Sequence, residues 1–196
     1  MQIQTIGVVG GGQMGNGIAQ VAASVGFQVR LMDISTAALE KALATISSSC
    51  DRLIKKEKMT EEQKKELLAR IQTTTDMNAL KDCDFVIEAA TENIDLKLKI
   101  FSQLDEIVKK GAILCTNTSS ISITKIAAAT KRPEFVAGMH FMNPVPIMQL
   151  VEGIRGLQTS DETFNTVRAL AEKMGKTFVE GRDMPGFIVN RILLPM

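Results

Sequence analysis

Tryptophan and tyrosine are absent from this 196-residue chain, histidine occurs once and cysteine three times. A single histidine leaves His140 as the only imidazole available for chemistry near neutral pH. Cys50, Cys83 and Cys115 are odd in number and widely spaced, which fits neither a disulfide framework nor a zinc site. They read as reduced core residues of a cytoplasmic protein. No HxxxH, CxxC or carboxylate cluster suggests a metal. There is no apolar span long enough for a membrane helix and no basic-then-apolar leader. With 23 basic residues against 22 acidic ones, nothing global points to nucleic acid or an anionic membrane. What remains is 45% apolar and 23% charged, an ordinary soluble composition without repeats or low complexity. The length allows one large domain, or one domain plus a fragment.

Strand-like runs alternate with helical ones. The strands are expected at Ile3–Val9, Val29–Asp33, Phe85–Ala89, Ile113–Thr116 and Phe135–His140, with Leu150–Ile154 and Thr177–Val179 extending the sheet. Patterned helices are expected over Leu96–Val108, stopped by Gly111, over Ile121–Ala129, and near Asp161–Met174. The last of these carries a capping-box pair, Thr159 and Glu162, and a stop at Gly175. Unbroken apolar strands alternating with helices imply an α/β fold, a doubly wound and mostly parallel sheet. Residues 35–71 break the rhythm. Leu39, Leu43, Ile46, Cys50 and Leu53 make one narrow stripe on a long helix, and Thr60 with Gln63 opens a second. This reads as an inserted helical hairpin whose outer faces carry Lys55, Lys56, Lys58, Lys64 and Lys65. A solvated face accounts for most of these lysines; contact with an anionic, phosphate-bearing ligand is the sharper alternative.

Between the first strand and the run Ile18–Val25 lies Gly10-Gly11-Gly12-Gln13-Met14-Gly15. Gly10 lets the turn close, Gly12 removes a side chain that would block a pyrophosphate, and Gly15 lets the helix pack close. Gln13 and Met14 belong to the same phosphate-facing turn, where helix N–H groups and the positive dipole end collect. Asp33 closes the second apolar run 18 residues after Gly15. There it can accept from a ribose 2′-OH and repel a 2′-phosphate, which favours NAD over NADP.

His140 ends a strand whose carboxyl edge is where open α/β sheets bind ligands. Alone, a strand-end histidine is more often a satisfied structural residue than a general base. Glu152 follows 12 residues later in the apolar run Leu150-Val151-Glu152, where a carboxylate is out of place unless paired. If the loop through Asn143-Pro144-Val145-Pro146 folds back, Glu152 can accept the other N–H of His140 and stabilise an imidazolium. An edge-strand carboxylate reaching solvent is the alternative. Asn117-Thr118-Ser119-Ser120 follows another strand at the same edge. These groups could hold a substrate oxygen or the nicotinamide amide, or could cap the helix near Ile121.

Taken together, these residues resemble the L-3-hydroxyacyl-CoA dehydrogenase family, including its small bacterial 3-hydroxybutyryl-CoA dehydrogenases. The carrying segments are Gly10–Gly15 with Asp33, Glu88-Ala89-Ala90-Thr91-Glu92-Asn93, Asn117–Ser120, Gly138-Met139-His140-Phe141-Met142-Asn143-Pro144, Leu150–Glu152 and Pro185-Gly186-Phe187-Ile188-Val189-Asn190-Arg191. The resemblance implies a Rossmann-type domain over 1–184 and the start of an all-helical domain over 185–196. It makes His140 the base and Glu152 its partner, with Ser119 and Asn190 on the substrate's 3-oxygen. Asn143 would lie near the nicotinamide, Glu92 and Lys97 at cofactor-contacting positions, and Ser49 and Lys56 where coenzyme A is met. The implied reaction is oxidation of an L-3-hydroxyacyl-CoA to the 3-oxoacyl-CoA with NAD, or the reverse. Family members continue into a helical domain that forms a homodimer interface, whereas this chain stops six residues after Asn190. Cofactor binding without turnover, or a hydroxyacid dehydrogenase acting on a non-CoA substrate, are the competing expectations.

Overall fold

A computed structural model describes residues 3–193. All seven expected strands are present, each shifted at its ends by three residues or fewer: β1 (Thr5–Val9), β2 (Gln28–Met32), β4 (Phe85–Glu88), β5 (Ile113–Thr116), β6 (Val136–Phe141), β7 (Leu150–Arg155) and β8 (Thr177–Arg182). One strand, β3 (Ile71–Thr74), was not expected; only Ile71 of its residues is buried, so it carries almost no apolar signal. The eight strands form one sheet in the order β3-β2-β1-β4-β5-β6-β7-β8. Its first six positions follow the dinucleotide-binding 3-2-1-4-5-6 order and pair in parallel. β7 then returns antiparallel to β6, and β8 pairs in parallel with β7.

The helices are α1 (Gln13–Ser24), α2 (Thr36–Ile54), α3 (Glu61–Ala69), α4 (Ile94–Ile107), α5 (Ile123–Ala127), α6 (Asp161–Lys173) and α7 (Val189–Leu193). Alternate strand residues feed two cores. Ile6, Val8, Phe85, Ile87, Ile113 and Cys115 pack with Ile18, Ile46, Leu67 and Val167, under α1, α2, α3 and α6. Val9, Val86 and Leu114 face the other way, onto Ile100, Phe101, Leu104, Ile123 and Ile126 of α4 and α5. Both faces of the sheet are therefore covered, as unbroken apolar strands require.

The hairpin between β2 and β3 is α2 and α3. Leu39, Ile46 and Cys50 are buried, while Leu43 and Leu53 lie half-buried on the same stripe. Thr60 and Gln63 form the expected capping box. Lys55, Lys56, Lys58 and Lys65 are exposed, and Lys64 pairs with Asp51 at 2.5 Å.

Two expected caps are displaced. α6 is capped by Ser160, whose hydroxyl accepts from the Thr163 N–H, and not by Thr159. The Thr159 hydroxyl is already committed, donating to the Val136 carbonyl at 2.6 Å and accepting from the Gly156 N–H. Likewise α5 is capped by Ser122, not by the Asn117–Ser120 segment. The expected helix start within 185–196 is α7; Leu194, Pro195 and Met196 lie outside the described residues, as do Met1 and Gln2.

Candidate active site

The glycine turn joins β1 to α1. Gly10 has φ +105°, and a Cβ on it would lie 2.7 Å from the Ala89 carbonyl oxygen. A Cβ on Gly15 would fall 1.8 Å from the Gly10 carbonyl oxygen, so neither position accepts a side chain. Gly12 is different: a Cβ there would meet nothing within 4 Å. Its open side lies at the amino end of a 12-residue helix that has neither a side-chain cap nor an acid in its first turn. α2 to α6, by contrast, are each capped by a Ser, Thr or Asn side chain. Uncapped N–H groups beside an open Gly12 fit an anionic pyrophosphate. Asp33, just beyond β2, accepts from the Gly11 N–H at 2.7 Å and the Ser35 N–H at 2.9 Å, which fixes its carboxylate beside the turn. These groups fit an NAD adenosine and pyrophosphate.

At the carboxyl ends of β4, β5 and β6 a cleft of about 410 Å³ is lined by Met14, Glu92, Lys97, Ser119, His140 and Asn143, with Asn190 at its side. A larger groove, about 580 Å³, lies by Phe27, Glu162 and Lys173 and holds none of the expected site residues. Lys97 is almost fully buried under the cleft. Its ammonium donates to Glu88 Oε2 at 2.6 Å and to the Thr116 hydroxyl at 3.1 Å, and lies 3.8 Å from Glu92. Glu88 further accepts from the Thr116 hydroxyl and the Ala90 N–H. Removing either charge of such a sealed pair costs about 3–5 kcal/mol, because the survivor stays buried and uncompensated. Glu92 accepts from the Ser119 N–H at 2.6 Å and from the Ser119 and Thr118 hydroxyls at 2.8 Å. Partial burial raises its carboxyl, but those donors and the Lys97 ammonium outweigh it, leaving Glu92 below the ordinary carboxylate range.

His140 and Glu152 stand opposite each other in the antiparallel β6–β7 register. The return that creates this register is the loop at Pro144, where Ile147 and Met148 N–H groups both bond the Pro144 carbonyl; the Asn143–Pro144 peptide is cis. His140 Nδ1 lies 2.6 Å from Glu152 Oε2, and Glu152 is 1% exposed, not a solvent-reaching edge carboxylate. The other oxygen, Oε1, accepts the N–H groups of Ile188 and Val189, each at 2.9 Å. An ionised Glu152 can only accept, so it holds the proton of His140 on Nδ1 and leaves Nε2 as the ring's basic nitrogen. Phe187 packs edge-on to the imidazole at 6.1 Å. Asn190 donates from Nδ2 to the Ser119 carbonyl at 3.2 Å, which draws two distant expected residues together.

The expected coenzyme A positions separate. Ser49 lines a smaller cleft of about 190 Å³ with Gln13, Gln20 and Asn143, and accepts from Gln20 Nε2 at 3.0 Å. Lys56 sits exposed at the hairpin turn and lines neither cleft. Sequence reasoning gave Glu88 and Thr116 no part in building the site, and named Asn117 only within its segment, as a group that could hold a substrate oxygen or the nicotinamide amide or cap a helix. Asn117 accepts the Phe141 N–H through Oδ1 at 2.8 Å and so positions the strand end that carries His140. Glu88 did offer a signal, a carboxylate closing an apolar strand, the same one that drew attention to Glu152.

The family model described as "3-hydroxyacyl-CoA dehydrogenase, NAD binding domain" matches residues 5–184. A probable 3-hydroxybutyryl-CoA dehydrogenase of Bacillus subtilis is 52% identical over all of this chain and 68% of its own length. A 3-hydroxybutyryl-CoA dehydrogenase of Bradyrhizobium diazoefficiens is 51% identical over 99% of this chain and 66% of its own. Among solved structures, (S)-3-hydroxybutyryl-CoA dehydrogenase from Ralstonia eutropha superposes with a TM-score of 0.98 at 58% identity, covering all of this chain and 69% of that one. The chain thus spans about two thirds of the length of these relatives. An uncapped glycine turn with Asp33, set beside a cleft lined by His140 with Glu152 buried behind it, agrees with that match, and the chain belongs to the 3-hydroxyacyl-CoA dehydrogenase family through its NAD binding domain.

Proposed function

We propose that the protein carrying this sequence interconverts L-3-hydroxyacyl-CoA and 3-oxoacyl-CoA with NAD, and that His140 is its acid–base group. The observation that supports this best is the His140–Glu152 pair at 2.6 Å, buried on one side and facing the cofactor cleft on the other. When bound, the nicotinamide supplies the hydride acceptor or donor. His140 Nε2 takes the proton of the 3-hydroxyl, and Glu152 stabilises the imidazolium that results. Its two backbone donors keep the Glu152 carboxylate from rotating away. Because Glu92 is held ionised, the Ser119 hydroxyl donates to it, which fixes that side chain at the cleft where the substrate's 3-oxygen would sit. Asn190 orients the Ser119 backbone from the other side. Gly10, Gly12, Gln13, Met14, Gly15 and Asp33 would carry the adenosine and pyrophosphate. Asn143, Glu92 and Lys97 would border the nicotinamide, with Lys97 acting through Glu92. Ser49 sits where the smaller cleft could receive part of coenzyme A; the exposed Lys56 would meet only its outlying phosphates.

The test is NADH oxidation with acetoacetyl-CoA measured beside free acetoacetate, together with NADH and NADPH binding. The reading expects a strong preference for the thioester and for NADH. Equal rates on the free acid would give the protein a non-CoA substrate. NADH binding without turnover of either, in a protein of its relatives' length, would make it a binding module.

A further inference from the structure

Asp183, half-buried just past β8, holds four donors on an element 60 residues away. Oδ1 accepts the Ile123 N–H at 2.8 Å. Oδ2 accepts the Thr124 N–H at 2.8 Å and the hydroxyls of Thr124 at 2.6 Å and Ser122 at 2.9 Å. Ser122 caps only the Lys125 N–H, and Asp183 takes the Ile123 and Thr124 N–H groups that this leaves; that the acceptor comes from so far along the chain needs a reason of its own.

The chain after Asp183 supplies the reason. Gly186 has φ +75° and Phe187 φ +47°, a left-handed pair in which Phe187 is strained. Such a turn persists only when both of its ends are held. Phe187 itself meets the His140 ring; beyond it, Ile188 and Val189 donate to Glu152, and Asn190 reaches the Ser119 carbonyl. Asp183 anchors the near end of this strap; Glu152 anchors the far end.

We propose that Asp183 is a positioning residue for the His140–Glu152 pair: clasped to α5, it places the strap so that two N–H groups occupy Glu152 Oε1 and leave Oε2 to His140. Its meaning for catalysis rests on the reading of His140 as the base. The clasp itself rests on hydrogen bonds alone. If Asp183 lets go, the left-handed turn relaxes, the two N–H groups leave Glu152, and the carboxylate is free to rotate. The imidazole then loses the partner that holds its proton on Nδ1. The other charged groups bordering His140, Glu92 and Lys97, are engaged with Ser119, Thr118 and Glu88 and cannot replace that partner.

The chain has one histidine, so its imidazole nitrogens give an unambiguous NMR signal. In 15N-labelled protein, at a pH where the ring is neutral, wild type shows the Nδ1–H tautomer. Asp183→Asn replaces an acceptor oxygen with an NH2 that cannot receive the Thr124 N–H. The variant gains an Nε2–H population, and kcat falls about ten- to a hundredfold with the NADH Kd unchanged. Ser122→Ala with Thr124→Val, which removes two hydroxyl donors and leaves the N–H groups, shifts the tautomer less and in the same direction. An unmoved tautomer in either folded variant overturns the clasp. Loss of NADH binding in wild type would defeat the functional reading instead, and would leave the tautomer result standing.

Discussion

Two acid–base pairs lie at the carboxyl edge of the same sheet, and they differ in access. Glu88 and Lys97 are both essentially inaccessible and every oxygen of Glu88 is spoken for. His140 and Glu152 have the same tight spacing, 2.6 Å, yet His140 lines the cleft and its Nε2 has no hydrogen-bond partner among the described residues. Both pairs place a carboxylate on an apolar strand. The sealed pair holds β4, β5 and α4 together; the open one, on the proposed function, has a lone pair to offer a substrate. Partner geometry alone does not separate a structural pair from a chemical one. What the pair still has free does.

Breaking the sealed pair should show in stability. Lys97→Met leaves Glu88 buried without a counter-charge and is expected to cost about 3–5 kcal/mol in urea unfolding. Adding Glu88→Leu should recover most of that loss, because two well-packed apolar residues replace the pair. A loss under about 1 kcal/mol in the single variant would mean that water reaches Glu88. Glu92 sharpens the comparison from the edge of the cleft. Its folded-state carboxyl lies below its unfolded value, so the unfolded chain binds more protons between the two and stability falls as pH drops through that window. Glu92→Gln should therefore cost stability at about pH 7 and progressively less toward about pH 4. The side chain is 49% exposed, so solvent screening keeps the difference below about 1 kcal/mol. A penalty that grows on acidification would contradict the assignment of Ser119 as a donor to an ionised Glu92.

How legible these features were depends on how far apart in the chain their parts lie. The glycine turn needs only six consecutive residues, and each glycine answers a local clash or a local opening, so it could be read directly. The His140–Glu152 pair was readable because a 12-residue return puts both on one face of neighbouring strands. β3 was not readable: three of its four residues are polar, since it lies at the sheet edge and buries only Ile71. The cap of α6 was missed by one residue, because two adjacent hydroxyls were equally suited and a carbonyl on β6 had claimed the Thr159 one. Glu88–Thr116 and Asp183–Thr124 join positions 28 and 59 residues apart, and nothing in the local pattern announces such partners.

The comparison predicts opposite outcomes for the open pair. In His140→Ala, Glu152 keeps its two backbone donors, so the fold survives with a loss of only about 1–3 kcal/mol. The most direct measurement is the NADH Kd of this variant taken together with its acetoacetyl-CoA turnover. The account predicts an affinity within about threefold of wild type and a turnover lower by about 10²–10⁴-fold. Turnover close to wild type would remove His140 from the chemistry. Loss of NADH binding along with it would show that the acid–base pair and the cofactor site are not separate devices.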